Sequence, residues 1–295
     1  MKQVSRPLTL VVALVLAAAP HAQSPGTGTP ESVGMSAERL GRIKTSMQAL
    51  VDGRQLPAVE TLVARRGVLV HHERINLADG AIFGIASMTK PVTSVAIMML
   101  LEDGKLLLSD PVSRFIPSFR EMRVLAADGA TSNGNGAGTV PARRQITIDD
   151  LLTHTSGLVY GFRERGPVGE MYQKSGVYDG LGGKRPASLA DQMDLLARQP
   201  LKFQPGTAYT YSIGIDVLGR IVEVASGMSL EEFLRARIFE PLGMRDTTFS
   251  LPAARTSRLV PLHAIENGAL VRAAEQGAYA NVTYYSGGAG LVSTG

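Results

Sequence analysis

Ser87 and Lys90 stand three residues apart in Gly84-Ile85-Ala86-Ser87-Met88-Thr89-Lys90-Pro91. Three residues is close to one helical turn, so a helix here puts both side chains on one face. Pro91 has no N–H and is best tolerated in a first turn, which fixes the helix start near Ser87. A serine at such a start meets the positive end of the helix dipole, which favours an oxyanion forming there. A neighbouring lysine can take the serine proton, provided burial and the helix end bring its amine below the usual ~10.4. That is nucleophilic catalysis with a lysine base. The spacing alone leaves a structural pair open. The apolar setting strengthens the catalytic reading, because a lysine there is otherwise a buried charge without a use.

A second segment, Pro205-Gly206-Thr207-Ala208-Tyr209-Thr210-Tyr211-Ser212-Ile213-Gly214, sets a Pro-Gly turn ahead of a Tyr-Ser pair at a helix start. Tyr211 can place its phenol beside Lys90 and relay a proton to a leaving group. Packing is the ordinary role of a buried tyrosine, so this segment is weak by itself.

Other chemistries lack their residues. With no Cys, the chain has no disulfides, thiolate zinc sites, cysteine nucleophile or lipobox. No G-x-S-x-G elbow, H-E-x-x-H pair or Walker loop occurs. His71 and His72 are adjacent on a predicted strand and point to opposite faces, so they cannot grip one metal. Trp is absent and aromatics are 5%, which disfavours base stacking. Losing Lys2 and Arg6 with a leader lowers the net charge from +4 to +2, too little for a nucleic-acid or anionic-membrane partner.

Around these residues the elements are readable. Residues 1–22 have a secretory-signal layout: Lys2 and Arg6, an apolar Leu8–Ala19, then small residues with cleavage after Ala22. A secreted or periplasmic location follows, with no stable membrane span after its removal. Ser24–Pro30 reads as a flexible lead-in. Ser36 caps a helix with the stripe Leu40, Ile43, Met47, Leu50 and Val51, and Gly53 lies past its end. Ala58–Arg65 and Val68–Glu73 read as a hairpin through Arg66-Gly67, the only clear strands. Ser87–Asp103 is apolar nearly all round and predicts a buried helix. Thr131–Thr139 predicts an exposed loop. Further helices start at Thr147 with Asp150, Ser188 with Asp191, Ile213, and Ser229 with Glu232, the last ending near Phe239.

Taken together, Ile85–Pro91, Leu151-Leu152-Thr153-His154-Thr155-Ser156-Gly157-Leu158, Pro205–Ser212 and Gly287-Gly288-Ala289-Gly290-Leu291 resemble the serine β-lactamase-related family. Within it the chain is similar to class C β-lactamases, D-Ala-D-Ala carboxypeptidases and family VIII carboxylesterases. The resemblance implies an α+β fold of the β-lactamase/transpeptidase type: an antiparallel sheet flanked by helices plus a mostly helical domain. Residues 23–86 would open the α/β part, 87–240 form the helical part, and 241–295 return toward the sheet. It also implies Ser87 as nucleophile, Lys90 as general base and Tyr211 as proton relay, with no cofactor or metal.

Two departures shape the expectation. The family's Tyr-Ser pair is followed by an amide-holding Asn, and here that place is Ile213, which tilts the reading toward ester substrates. The family's third motif, a K-T-G or H-x-G-like strand with an oxyanion donor, would lie beyond Gly295. A chain truncated by roughly 80–130 residues, possessing Ser293 or Thr294 as the cap of a following helix, is therefore expected. Tyr160, Phe162, Tyr172 and Tyr178 are candidates for an acyl pocket, with Ile213, Tyr160 and Tyr172 named as substrate-binding. The leading expectation is an esterase-like serine hydrolase. A β-lactamase or D,D-peptidase acting on β-lactams or peptides, and a catalytically silent cell-wall-binding relative, stay open beside it.

Overall fold

The computed structural model describes residues 26–126, 138–180, 185–273 and 279–295. The leader and most of the Thr131–Thr139 loop lie outside the described residues. A short strand β1 (Gly26–Thr27) runs parallel to β3 (Val68–Ile75), which pairs antiparallel with β2 (Val59–Arg65). The predicted hairpin therefore forms and gains a third strand from the segment expected to be a flexible lead-in. Arg66 (φ 53°) and Gly67 (φ 73°) are both left-handed, as a two-residue turn matched to strand twist requires. Helix α1 (Ala37–Asp52) packs on this sheet; the Ser36 hydroxyl accepts from the Arg39 amide at 3.2 Å. A cap of this kind contributes about 1 kcal/mol.

After β4 (Phe83–Gly84) comes α2 (Thr89–Glu102), and the chain becomes mainly helical. This part holds β5 (Arg123–Leu125), β6 (Thr139–Pro141), α3 (Ile148–Leu152), α4 (Pro167–Ser175), α5 (Leu189–Ala197), α6 (Gly214–Ser226) and α7 (Leu230–Leu234). Helix α6 is the hub: α2, α3, α5 and α7 all pack on it, burying Ile215, Val217, Leu218, Ile221 and Val222. Capping boxes at Thr147/Asp150 and Ser229/Glu232 form as predicted. Helix α2 departs from expectation. It buries one face through Thr93, Ala96, Ile97 and Leu100, while Val95 is 49% and Met98 41% exposed. Apolar character on every side does not decide how many sides find a partner.

Three further observations concern ends and strands. The helix expected to finish near Phe239 runs on through a wider turn, Arg235–Phe239, into α8 (Glu240–Leu242) and stops at left-handed Gly243. Pro241 sits in the first turn of α8, where its missing N–H costs little. Strands also follow the hairpin. Thr139 belongs to β6, paired with β5, and β7 (His263–Glu266) pairs with β8 (Ala269–Arg272). Finally, Ser293 lies in β9 (Val292–Ser293), paired with β4, and its hydroxyl meets that of Thr247 at 2.8 Å. It is a strand residue. A small second core of Ile82, Leu251 and Val292 backs this pairing.

Candidate active site

The turn Ala86–Met88 delivers Ser87 to the start of α2. Ala86 holds φ +44°, a left-handed conformation that costs a non-glycine residue roughly 1–2 kcal/mol. Ser87 is exposed there, whereas Lys90, one turn later, is 7% exposed. Pro91 occupies the first turn, as the sequence requires.

Three side chains meet at one oxygen. Lys90 Nζ lies 3.2 Å from Ser87 Oγ, and the Tyr211 hydroxyl donates to the same Oγ at 2.7 Å. The Lys90 amine also donates to the Gly288 carbonyl at 2.8 Å. Its nitrogen stands 4.6 Å from the Tyr211 ring centroid and 5.3 Å from that of Tyr160. Such aromatic faces attract a cation and help to hold it out of water. The Gly287–Leu291 run is fastened to α2 at several points. The Thr93 hydroxyl donates to Gly287 O at 2.8 Å, and the Leu291 amide donates to Thr89 Oγ1 at 3.1 Å.

Tyr211 is placed by a segment far away in sequence. His154, itself left-handed at φ +58°, lies 4.8 Å from the Tyr211 ring. Its Nδ1 accepts from the Ser212 amide at 3.3 Å. Burial, and then the charge of Lys90, lower the His154 pKa, so the imidazole is neutral near pH 7. It packs on the Tyr211 ring and hydrogen-bonds Ser212 rather than Ser87. Above the ring on the exposed side, the Arg163 guanidinium lies 5.5 Å from the Tyr211 centroid.

Of the residues singled out from sequence, Ser87, Lys90, Tyr211 and Tyr160 come together. Tyr160 is buried beside Lys90, and burial raises its pKa further than the nearby Asp216 does. It is a neutral phenol that walls the amine. Phe162 is exposed and packs on Tyr160 at 5.4 Å, and Tyr178 sits edge-on to Tyr284. Ile213 and Tyr172, expected to bind substrate, are each 1% exposed and packed in the helical core. A side chain without accessible surface offers nothing for a ligand to touch. Two residues went unnoticed. Asp216 is buried in the first turn of α6, where its signal was an acid within an apolar helix start. Ser286, which donates to it at 2.7 Å, had no sequence signal.

Metal chemistry finds no cluster: no group of three or more His, Cys, Asp or Glu able to hold an ion occurs among the described residues. His71 meets Thr61 Oγ1 at 2.8 Å and His72 meets Glu60 at 2.6 Å, so both are engaged within the sheet.

A family model described as Beta-lactamase matches residues 43–295. Protein Rv1367c of Mycobacterium tuberculosis is 38% identical over 232 residues, covering 76% of this chain and 55% of its own. Esterase EstB of Burkholderia gladioli is 35% identical over 270 residues, covering 83% and 64%. The chain thus spans between about half and two thirds of the length of these curated relatives. Among solved structures, EstCE1, described as a hydrolase with promiscuous acyltransferase activity, aligns with TM-score 0.72 at 27% identity, covering 87% of this chain and 69% of that one. The chain belongs to the β-lactamase family and has the β-lactamase/transpeptidase-like fold.

Proposed function

We propose that the protein is a serine hydrolase that cleaves carboxylic esters through an acyl-enzyme. The observation that carries this reading is Ser87 Oγ within hydrogen-bond reach of both Lys90 Nζ and Tyr211 Oη. Neutral Lys90 takes the Ser87 proton as Oγ bonds to the ester carbonyl carbon. The carbonyl oxygen becomes an oxyanion, stabilised at the start of α2 by backbone N–H groups and the helix dipole. Collapse breaks the C–O bond to the alcohol. Tyr211 supplies the proton to the departing oxygen and is reprotonated from the Lys90 ammonium. Water then attacks the acyl-enzyme by the same steps in reverse and releases the acid.

EstB is named an esterase and EstCE1 a hydrolase, which supports the same substrate class. The test compares p-nitrophenyl butyrate with a chromogenic cephalosporin, and locates the fluorophosphonate adduct by mass. Ester turnover that is faster, an adduct on Ser87 and no turnover by Ser87→Ala are expected. An adduct elsewhere overturns the nucleophile. Faster cephalosporin hydrolysis replaces the esterase reading with a β-lactamase.

Export to the periplasm or medium belongs to the same proposal, supported by Lys2, Arg6 and the apolar Leu8–Ala19. N-terminal sequencing of the exported protein should begin at Gln23. Retention of Met1 in a cytoplasmic fraction would overturn it.

A further inference from the structure

We infer that Asp216 is the positioning residue of the Ser87–Lys90 pair: its buried carboxyl group fixes the Gly288 backbone that holds the Lys90 amine. This inference rests on the proposed lysine-base reaction.

Asp216 is 3% exposed in the first turn of α6. A carboxylate so deeply buried is costly unless donors surround it. Its donors all come from one distant stretch. The Ser286 hydroxyl donates to Oδ1 at 2.7 Å, the Tyr284 hydroxyl donates to Oδ1 at 3.3 Å, and the Gly288 amide donates to the carboxylate. Each is a donor, which suits an ionised, acceptor-only carboxylate. Burial holds the Asp216 carboxyl above the usual carboxylate range, and Ser286, Lys90, Gly288 and Tyr284 offset this only in part.

Gly288 is gripped from two sides. Its amide faces Asp216, and its carbonyl accepts from Lys90 Nζ at 2.8 Å. Only glycine fits: a Cβ there would lie 2.5 Å from Asp216 Oδ2 and 2.9 Å from Tyr160 Oη. The carboxylate therefore sets where the Gly288 carbonyl sits, and the carbonyl sets where the amine stands relative to Ser87.

The charges around the pair can be enumerated. Lys90 is faced by Ser87 on its own turn, Tyr211, Tyr160, His154 and Asp216. Asp216 is faced by Lys90, Tyr160 and Tyr284. Asp179 acts on Tyr160 from further out, and Arg163 lies over the Tyr211 ring. His154 is neutral and the phenols are uncharged, so Asp216 is the acidic group of this cluster.

The test measures kcat/KM for p-nitrophenyl butyrate, and the rate of fluorophosphonate inactivation, against pH. It uses wild type, Asp216→Asn and Ser286→Ala, with thermal melting of each. Asp216→Asn keeps the shape and removes the charge. Its acidic limb should move, and its plateau kcat should fall about tenfold with KM within about twofold. Ser286→Ala removes one donor, disturbs folding less, and should shift the limb the same way by less. An Asp216→Asn protein that melts cooperatively with an unmoved limb overturns the inference. If that variant does not fold, a wild-type profile in Ser286→Ala overturns it. Failure of wild type to label at Ser87 would instead sink the hydrolase reading itself.

Discussion

Replacing Tyr211 by Phe isolates one hydroxyl. The ring stays, with its neighbours His154 at 4.8 Å, Tyr160 at 5.6 Å and Lys90 Nζ at 4.6 Å. What disappears is the donor at 2.7 Å from Ser87 Oγ. Positioned proton transfer contributes about 10²–10⁴ in rate, so kcat should fall by that factor, equivalent to roughly 2.7–5.4 kcal/mol of barrier. The hydroxyl is at the open side of the site, so stability should change by no more than about 0.5 kcal/mol. That corresponds to a Tm shift of about 2 °C or less in a protein of this size. A leaving-group series makes the assay specific. p-Nitrophenolate departs with little help, while an alkoxide needs a proton. The deficit of Tyr211→Phe should therefore be smaller for p-nitrophenyl butyrate than for an alkyl butyrate. Equal deficits would mean that the hydroxyl only orients Ser87, and wild-type kcat with both esters would refute any role in proton transfer.

Two other outcomes follow from burial. Ile213→Asn puts an amide into an apolar site that is 1% exposed, so it should cost about 1–3 kcal/mol of stability, read as a lower denaturation midpoint. A variant of unchanged stability with improved cephalosporin turnover would instead return Ile213 to the substrate cleft. Asp150 is buried, which raises its pKa, but the Arg144 guanidinium (2.8 Å) and the Thr147 amide and hydroxyl (2.9 Å each) outweigh this and leave it lowered. A lowered folded pKa means stability that is full above the unfolded value of about 3.9 and is lost as pH falls below it through the folded pKa. Stability should therefore drop on acidification below about pH 4, and Asp150→Asn should flatten that drop; a wild-type slope in the variant would remove the Asp150 term.

What the sequence made legible was local. Ser87 and Lys90 share a turn, Thr147/Asp150 and Ser229/Glu232 are capping boxes, and Arg66-Gly67 is a two-residue hairpin. In each case the partners are close along the chain, so spacing alone defines the geometry. The Asn267-Gly268 turn between β7 and β8 was equally local, with both residues left-handed, and it went unread. Strands β5 and β6 were hidden for a different reason: three residues each and a long separation leave no periodicity. The same limit applies to the site. Tyr211 reaches Ser87 across 124 residues and Lys90 reaches Gly288 across 198. Only the family resemblance joined Tyr211 to the pair, and nothing in the sequence joined Asp216 to Gly288.

Departures from local rules converge on this same place. Arg54, Arg66, Asn76, Asn267 and Asn281 are left-handed non-glycine residues outside the site. Ala86 and His154 are the other two, one preceding the nucleophile and the other packed on Tyr211. Each conformation costs of order 1–3 kcal/mol and persists only when the surroundings over-determine it. Lys90 and Asp216 are buried ionisable side chains facing one another, a second expense of the same region. A fold selected for stability alone would remove such features: glycine at 86, an apolar residue at 90 and another at 216. Ala86 adjoins Ser87, Lys90 lies one turn on, and His154 and Asp216 reach the same site through Tyr211 and Gly288, as a site preorganised for chemistry requires. The costs are met by packing elsewhere, chiefly the buried face of α6, which carries Asp216 and closes the core beneath it.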